Sequence, residues 1–142
     1  MISLKRKIRL HETDATGVIY FTNQLKYSAD AFEEWIDRHL SHFPDLFEKF
    51  ALPIIRAEST YRRPLMRGDE IEIILDLVKL GRSSFTIKGT IKKEGVVVGF
   101  TEITHVLTSL KDGKATPFQN PFKALLEKCL VDQVSCTLEG NG

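Results

Sequence analysis

Residues 13–21 read Thr13-Asp14-Ala15-Thr16-Gly17-Val18-Ile19-Tyr20-Phe21, and they divide a strand-like run from a long amphipathic helix. Before them, Ile2, Leu4, Ile8 and Leu10 alternate with Ser3, Lys5, Lys7 and Arg9, the period-two pattern of a half-buried strand. After them, Leu25, Ser28, Ala29, Phe32 and Ile36 recur at helical spacing, with Trp35 and His39 alongside. Asn23 is read as the N-cap, and Lys26–Asp30 and Glu34–Arg38 as i,i+4 pairs on the polar flank. A helix from Asn23 to about Leu40 is roughly 25 Å long at about 1.5 Å per residue. Its apolar stripe is wide enough to need a sheet to lie on.

The rest of the chain supplies that sheet. Residues 41–53 form a connection, with a short helix expected between Pro44 and Phe50. Ile54–Arg63 is a strand closed by Pro64, and Glu70–Leu80 is a second, rich in Ile, Leu and Val. Gly81 breaks the run, and Phe85, Ile87, Gly89 and Ile91 then alternate with polar residues. Lys93-Glu94-Gly95 is a hairpin turn into the β-prone run Val96–Leu110. Asn120 and Pro121 open a last helix on Phe122, Leu125, Leu126, Cys129 and Leu130. The order strand, long helix, four antiparallel strands predicts an α+β domain in which one sheet curls round one helix. The domain is expected to span residues 1–132, followed by a polar tail over 133–142. Ile74 and Val78 interleave with Ile71, Ile73, Leu75 and Leu77, so the sheet's second face is also apolar. A partner subunit is expected to cover it, in a homodimer or homotetramer.

Bulk properties narrow the class. The 142 residues suit one domain with a real core, and 42% apolar and 27% charged residues are ordinary for a globular protein. A net charge of +1 exerts no global pull on nucleic acid or anionic membrane, so neither is an expected partner. No run approaches the roughly 18 apolar residues of a membrane span. Met1–Leu10 lacks a signal-peptide core, which points to the cytoplasm. Cys129 and Cys136 lack metal-ligand or redox-motif spacing.

Asp14 lies where a carboxylate can meet a substrate held at a helix N-terminus, a place with free N–H donors and positive potential. Asp-x-x-Gly is also a common turn, in which Asp14 would only close the first strand. Glu12 is read as solvent-exposed or salt-bridged, and His105, in a β run, as facing the interior or an interface. Arg62 and Arg63, and Arg82 with Ser83 and Ser84, could grip phosphates, while Lys88, Lys92 and Lys93 read as a solvated strand face.

The element order, together with Asp14-x-x-Gly17-Val18-Ile19-Tyr20-Phe21, resembles the hotdog-fold acyl-CoA thioesterases of the 4-hydroxybenzoyl-CoA thioesterase superfamily, over about Leu4–Pro121. Phe50-Ala51-Leu52-Pro53, Arg67-Gly68-Asp69 and Thr104-His105-Val106 are similar to the 1,4-dihydroxy-2-naphthoyl-CoA hydrolases of menaquinone and phylloquinone synthesis. General bacterial short-chain and carrier-protein thioesterases often carry a histidine where this chain has Phe21, so an aromatic acyl group is the better expectation. Phe21, Tyr20, Phe50 and Trp35 are candidates to line a flat apolar slot.

The resemblance implies thioester hydrolysis without metal or redox cofactor, coenzyme A entering only as part of the substrate. Asp14 is then the nucleophile or general base, Gly17 permits close approach to the acyl group, and the Phe21 N–H is the oxyanion donor. Nearby positive potential is expected to keep Asp14 ionised. Tyr20, Phe50, Arg62, Arg82, Ser83 and Ser84 are the implied substrate-binding residues, the last three at the nucleotide end. The alternatives are a thioesterase for short or branched acyl-CoA or acyl carrier protein, and a non-catalytic acyl-ligand module of the same fold.

Overall fold

The computed structural model describes residues 1–130; the polar tail and Cys136 lie outside the described residues. Strand β1 (Ile2–Lys7) leads through a 3-10 turn (Leu10–Glu12) and an irregular loop to the long helix α1 (Asn23–His39). A second 3-10 turn (Leu40–His42), helix α2 (Leu46–Lys49) and the short strand β2 (Phe50–Ala51) follow. Then come β3 (Ile54–Tyr61), β4 (Glu70–Leu80), β5 (Ser84–Lys93), β6 (Val96–Val106) and β7 (Thr108–Ser109). Residues 122–130 form a last helix, α3.

Five strands make one antiparallel sheet in the order β1-β4-β5-β6-β3, and β2 pairs with β7 beside it. Alternation decides which face is buried. Ile71, Ile73, Leu75 and Leu77 of β4 point inward with Phe85, Ile87 and Ile91 of β5, and α1 lies against them with Tyr27, Ala31, Trp35 and Ile36. Phe118, Phe122 and Leu126 close the far end around Phe85. The two-residue turn between β5 and β6 places Glu94 at φ 51° and Gly95 at φ 77°, the left-handed pair that suits a tight hairpin.

Several expectations need correction. The first strand stops at Lys7, because the chain turns at Leu10, which is 71% exposed rather than inward. Thr22, not Asn23, is the N-cap of α1, and Asn23 is its first helical residue. The buried face of α1 is centred on Gln24, Tyr27, Ser28, Ala31 and Trp35, with Leu25, Ala29 and Phe32 only half-buried on its flank. The Glu34–Arg38 pair forms at 3.2 Å, but Asp30 turns to Arg6 at 3.9 Å instead of Lys26. Trp35 is core, 2% exposed and stacked on Phe32. Among the strand-face lysines, Lys93 pairs with Asp69 at 2.9 Å and Lys88 lies over the Phe100 ring.

A helix presenting Gln24 and Ser28 to a sheet needs polar partners and room. The Gln24 amide donates to Ser59 Oγ, the Thr60 carbonyl and the Phe100 carbonyl at 2.8–3.1 Å, and Ser28 bonds Thr101 at 2.6 Å. The room comes from Gly99 and Gly89, where a methyl group would overlap Gln24 and the Ser28–Thr101 pair respectively. Gly99→Ala should displace the Gln24 amide from its three acceptors and lower stability by about 2–3 kcal/mol. Chemical denaturation at matched protein concentration checks this as a shift in midpoint.

Candidate active site

The loop between β1 and α1 is built from hydrogen bonds of its own. Asp14 Oδ1 accepts the Thr16 N–H at 2.8 Å and the Thr16 hydroxyl at 2.5 Å, an Asx turn. The Asp14 N–H donates to Val18 and the Gly17 N–H to Asp14. Gly17 sits at φ 85°, left-handed backbone that a side chain resists, so here glycine serves the turn. The loop docks through Thr13 against Ile19, Val18 against Met66, and the Ile19 N–H on the Leu65 carbonyl at 2.9 Å.

The turn reading of Asp14 accounts for one carboxylate oxygen only. One oxygen closes the turn, and the other accepts no hydrogen bond from the described residues. The carboxyl is held below the usual carboxylate range by the Thr16 hydroxyl first and the Thr16 N–H second. The expected positive potential is not the cause; hydrogen bonding is.

Phe21 ends the loop. Its N–H has no acceptor among the described residues. Its carbonyl accepts the Tyr61 hydroxyl, and its ring is 73% exposed. No acidic side chain occupies the first turn of α1, so the positive end of that helix is uncompensated locally. A cleft of about 340 Å³ opens beside it, lined by Val18, Ile19, Phe21 and Leu65 with Tyr61, Arg62 and Arg63 at the rim. Asp14 does not line this cleft within one chain.

The other candidate residues divide into near and far. Tyr20 is exposed beside Phe21, and Arg62, lying over the Phe100 ring at 4.8 Å, belongs to the cleft. Phe50 does not: it lines a cleft at the other end of α1 with His42, Phe43 and Phe122. Arg82, Ser83 and Ser84 form the turn between β4 and β5, and the Ser83 carbonyl accepts the Leu107 N–H. β4 has 11 residues and carries Glu70 beside Lys7 at its other end. At about 3.3 Å per residue, roughly 33 Å separates this turn from the end that leads to Asp14. One chain thus gathers Asp14, Gly17, Tyr20, Phe21 and Arg62, and leaves Phe50, Arg82, Ser83 and Ser84 apart.

Sequence reasoning left the roles of three residues at the site open. Glu12 is 5% exposed and paired with Arg6, Asn23 reaches back to the Glu12 carbonyl, and Tyr61 holds Phe21. Arg6 also covers the Tyr27 ring at 4.3 Å, while burial and the Glu12 charge push the Tyr27 hydroxyl up to about 12. The one available signal was Glu12 three residues after Arg9, the spacing at which a carboxylate caps a turn's first N–H. His105 is interior, its Nδ1 2.9 Å from the Leu52 carbonyl, and burial lowers its pKa. Among the described residues no three His, Cys, Asp or Glu side chains converge as metal ligands.

The Thr16 hydroxyl is the largest single cause of the depression at Asp14. Thr16→Val should therefore raise the Asp14 pKa towards the ordinary value of about 3.9. Carboxyl NMR titration of wild type and variant checks the direction.

Comparison with known proteins places the chain in a family. The family model of the thioesterase-like superfamily matches residues 8–126. A 1,4-dihydroxy-2-naphthoyl-CoA hydrolase of Prochlorococcus marinus (strain NATL2A) is 34% identical over 114 residues, 74% of each chain. One from Synechococcus sp. (strain CC9311) is 27% identical over 142 residues, 94% of this chain and 93% of the relative. The crystal structure of Slr0204, a 1,4-dihydroxy-2-naphthoyl-CoA thioesterase from Synechocystis, superposes with a TM-score of 0.79. It is 25% identical and covers 87% of this chain and 93% of that one. The chain belongs to the thioesterase-like superfamily, and its sheet around α1 is the hotdog fold.

Proposed function

We propose that this member of the superfamily is an acyl-CoA thioesterase. Its substrate is an aromatic acyl-CoA, 1,4-dihydroxy-2-naphthoyl-CoA, released as dihydroxynaphthoate and coenzyme A in menaquinone or phylloquinone synthesis. It works in the cytoplasm as a homodimer or homotetramer. The observation that carries the reading is the unpartnered Phe21 N–H at the uncompensated end of α1, with a half-free Asp14 carboxylate in the adjoining turn. The names of the relatives supply the acyl group.

The chemistry follows from these two groups. The thioester oxygen sits on the Phe21 N–H, which strengthens its hold as that oxygen gains negative charge. Asp14 then acts by one of two routes. As nucleophile, its oxygen bonds to the carbonyl carbon, the carbon–sulfur bond breaks, and coenzyme A leaves as thiolate. Water then hydrolyses the mixed anhydride to the free acid, returning the carboxylate. As base, Asp14 takes a proton from the water that attacks the carbonyl carbon; the carbon–sulfur bond breaks, and the proton passes to the leaving thiolate, which returns the carboxylate. Its lowered pKa keeps it charged at neutral pH for either. The exposed Phe21 and Tyr20 rings offer flat apolar area for fused rings, with Arg62 at the rim.

The second copy has two supports. β3 is an edge strand whose residues are almost all exposed, Ile54, Ile55 and Tyr61 among them, and an open edge is a template for another strand. Asp14 also lacks a cleft of its own within one chain, and a neighbour supplies the missing wall. In that arrangement Phe50 and the Arg82-Ser83-Ser84 turn serve the site of another subunit.

Hydrolysis of an acyl-CoA panel, followed by free thiol, tests the function. Dihydroxynaphthoyl-CoA should give the highest kcat/KM, and Asp14→Asn should lower turnover by about 10²–10⁴-fold. Preference for short aliphatic or carrier-bound acyl groups would move the substrate, and tight binding without thiol release would make the protein a ligand-binding module. Light scattering should separately return two or four times the 16.2 kDa chain mass, and a monomer would contradict the shared site.

A further inference from the structure

Glu12 ties β1 and the start of α1 to the loop of the candidate site. Its buried carboxylate accepts Arg6 Nη2 at 2.6 Å on both oxygens and the Arg9 N–H at 2.8 Å. Its carbonyl accepts the Tyr20 N–H at 3.1 Å and Asn23 Nδ2 at 2.7 Å. The Asn23 N–H donates in turn to the Tyr20 carbonyl at 2.9 Å. That carbonyl shares a peptide plane with the Phe21 N–H, so Asn23 fixes this plane directly, while Glu12 fixes the preceding Ile19–Tyr20 plane and the Asn23 side chain. Two residues beyond Glu12 the chain reaches Asp14. Arg6 is held from behind by the Tyr27 ring at 4.3 Å and Asp30 at 3.9 Å.

We propose that Glu12 is a positioning residue whose buried pair with Arg6 sets the spacing between the Asp14 carboxylate and the Phe21 N–H. The inference rests on the hydrolase reading for its kinetic consequence. The brace works because a carboxylate inside the loop costs little only while Arg6 and the Arg9 N–H neutralise it. Those bonds lock the 3-10 turn, and the locked turn aims the Glu12 carbonyl at Tyr20 and Asn23. Losing the charge frees the turn without deleting the backbone carbonyl, so substrate affinity survives while alignment does not.

Glu12→Gln is the test variant. Its kcat should fall about 10–100-fold, the scale of an ångström of misplacement. KM should stay within about threefold, as for loss of an interaction realised only in the transition state. Amide exchange gives a readout free of activity. The Tyr20 N–H should exchange about tenfold faster, while the Ile19 N–H, bonded to Leu65, keeps its protection. Arg6→Gln combined with Glu12→Gln should recover part of the lost kcat, because removing both charges leaves neither stranded. Leu77→Val, a buried core change towards the opposite end of β4, should lower stability without touching kcat.

Wild-type kcat and wild-type Tyr20 exchange in Glu12→Gln would overturn the proposal. So would equal loss of protection at Tyr20 and Ile19, which means general loosening. If Glu12→Gln does not fold, Asn23→Ala removes only the side-chain strut and should still lower kcat with KM retained; unchanged kcat there would overturn it. If wild type hydrolyses no acyl-CoA, the hydrolase reading fails alone, and the exchange difference between Tyr20 and Ile19 still decides the brace.

Discussion

Gln24 and Ser28 press α1 onto the sheet over two glycines, Gly99 and Gly89, and the position of that helix governs the rest of the molecule. A helix packed through leucines could slide or roll by small steps at little cost. One packed through a glutamine amide with three fixed acceptors cannot, because any shift strands a buried donor. The contact lies in the first two turns of α1, so it is the N-terminal end that is registered most tightly. That end carries Phe21, and the acceptors of Gln24 lie on β3 and β6, beside Tyr61 and Arg62. The cleft is a consequence of this contact.

Charge at that end is partitioned with some economy. α1 has no acidic residue in its first turn, which leaves its N-terminal potential for an incoming oxygen. Glu12 lies close in the chain but is neutralised by Arg6, so it does not compete for that potential. Asp14 is kept ionised by Thr16 within its own turn and needs no neighbouring cation. The two carboxylates of one short loop thus have different environments, one buried and paired, the other half-exposed with an oxygen to spare. On the proposed reading, that difference separates structural support from reactivity.

Much of this was legible in the residues. Alternation along Glu70–Leu80 and Phe85–Ile91 gave strands and their inward face, because side-chain period two is a backbone property independent of context. Asp14 and Gly17 stood out because a turn residue and a left-handed glycine leave a local mark. The buried face of α1 was harder. The helical spacing selected Leu25, Ala29 and Phe32 along with Ser28 and Ile36; the last two are buried, but the sheet also took Gln24 against Gly99, a match that exists only once strand and helix meet. Glu12 is salt-bridged, one of the two readings open to it, but its burial was not legible, because its partner Arg6 sits on the alternating strand, where a charged residue reads as solvent-facing. Tyr61 and Asn23 act through bonds spanning 40 and 11 residues. The separation of Phe50 and Arg82 from Asp14 follows from the sheet order, which sequence alone left open.

The central claim is that a thioester oxygen rests on the Phe21 N–H while Asp14 addresses the adjoining carbon. The most direct measurement is a crystal structure with a non-hydrolysable ketone analogue of an aromatic acyl-CoA. The account predicts the ketone oxygen about 2.9 Å from the Phe21 nitrogen. It predicts an Asp14 oxygen about 3–3.5 Å from the carbonyl carbon. An analogue bound with its carbonyl away from the start of α1, or with Asp14 turned to bulk water, would contradict it.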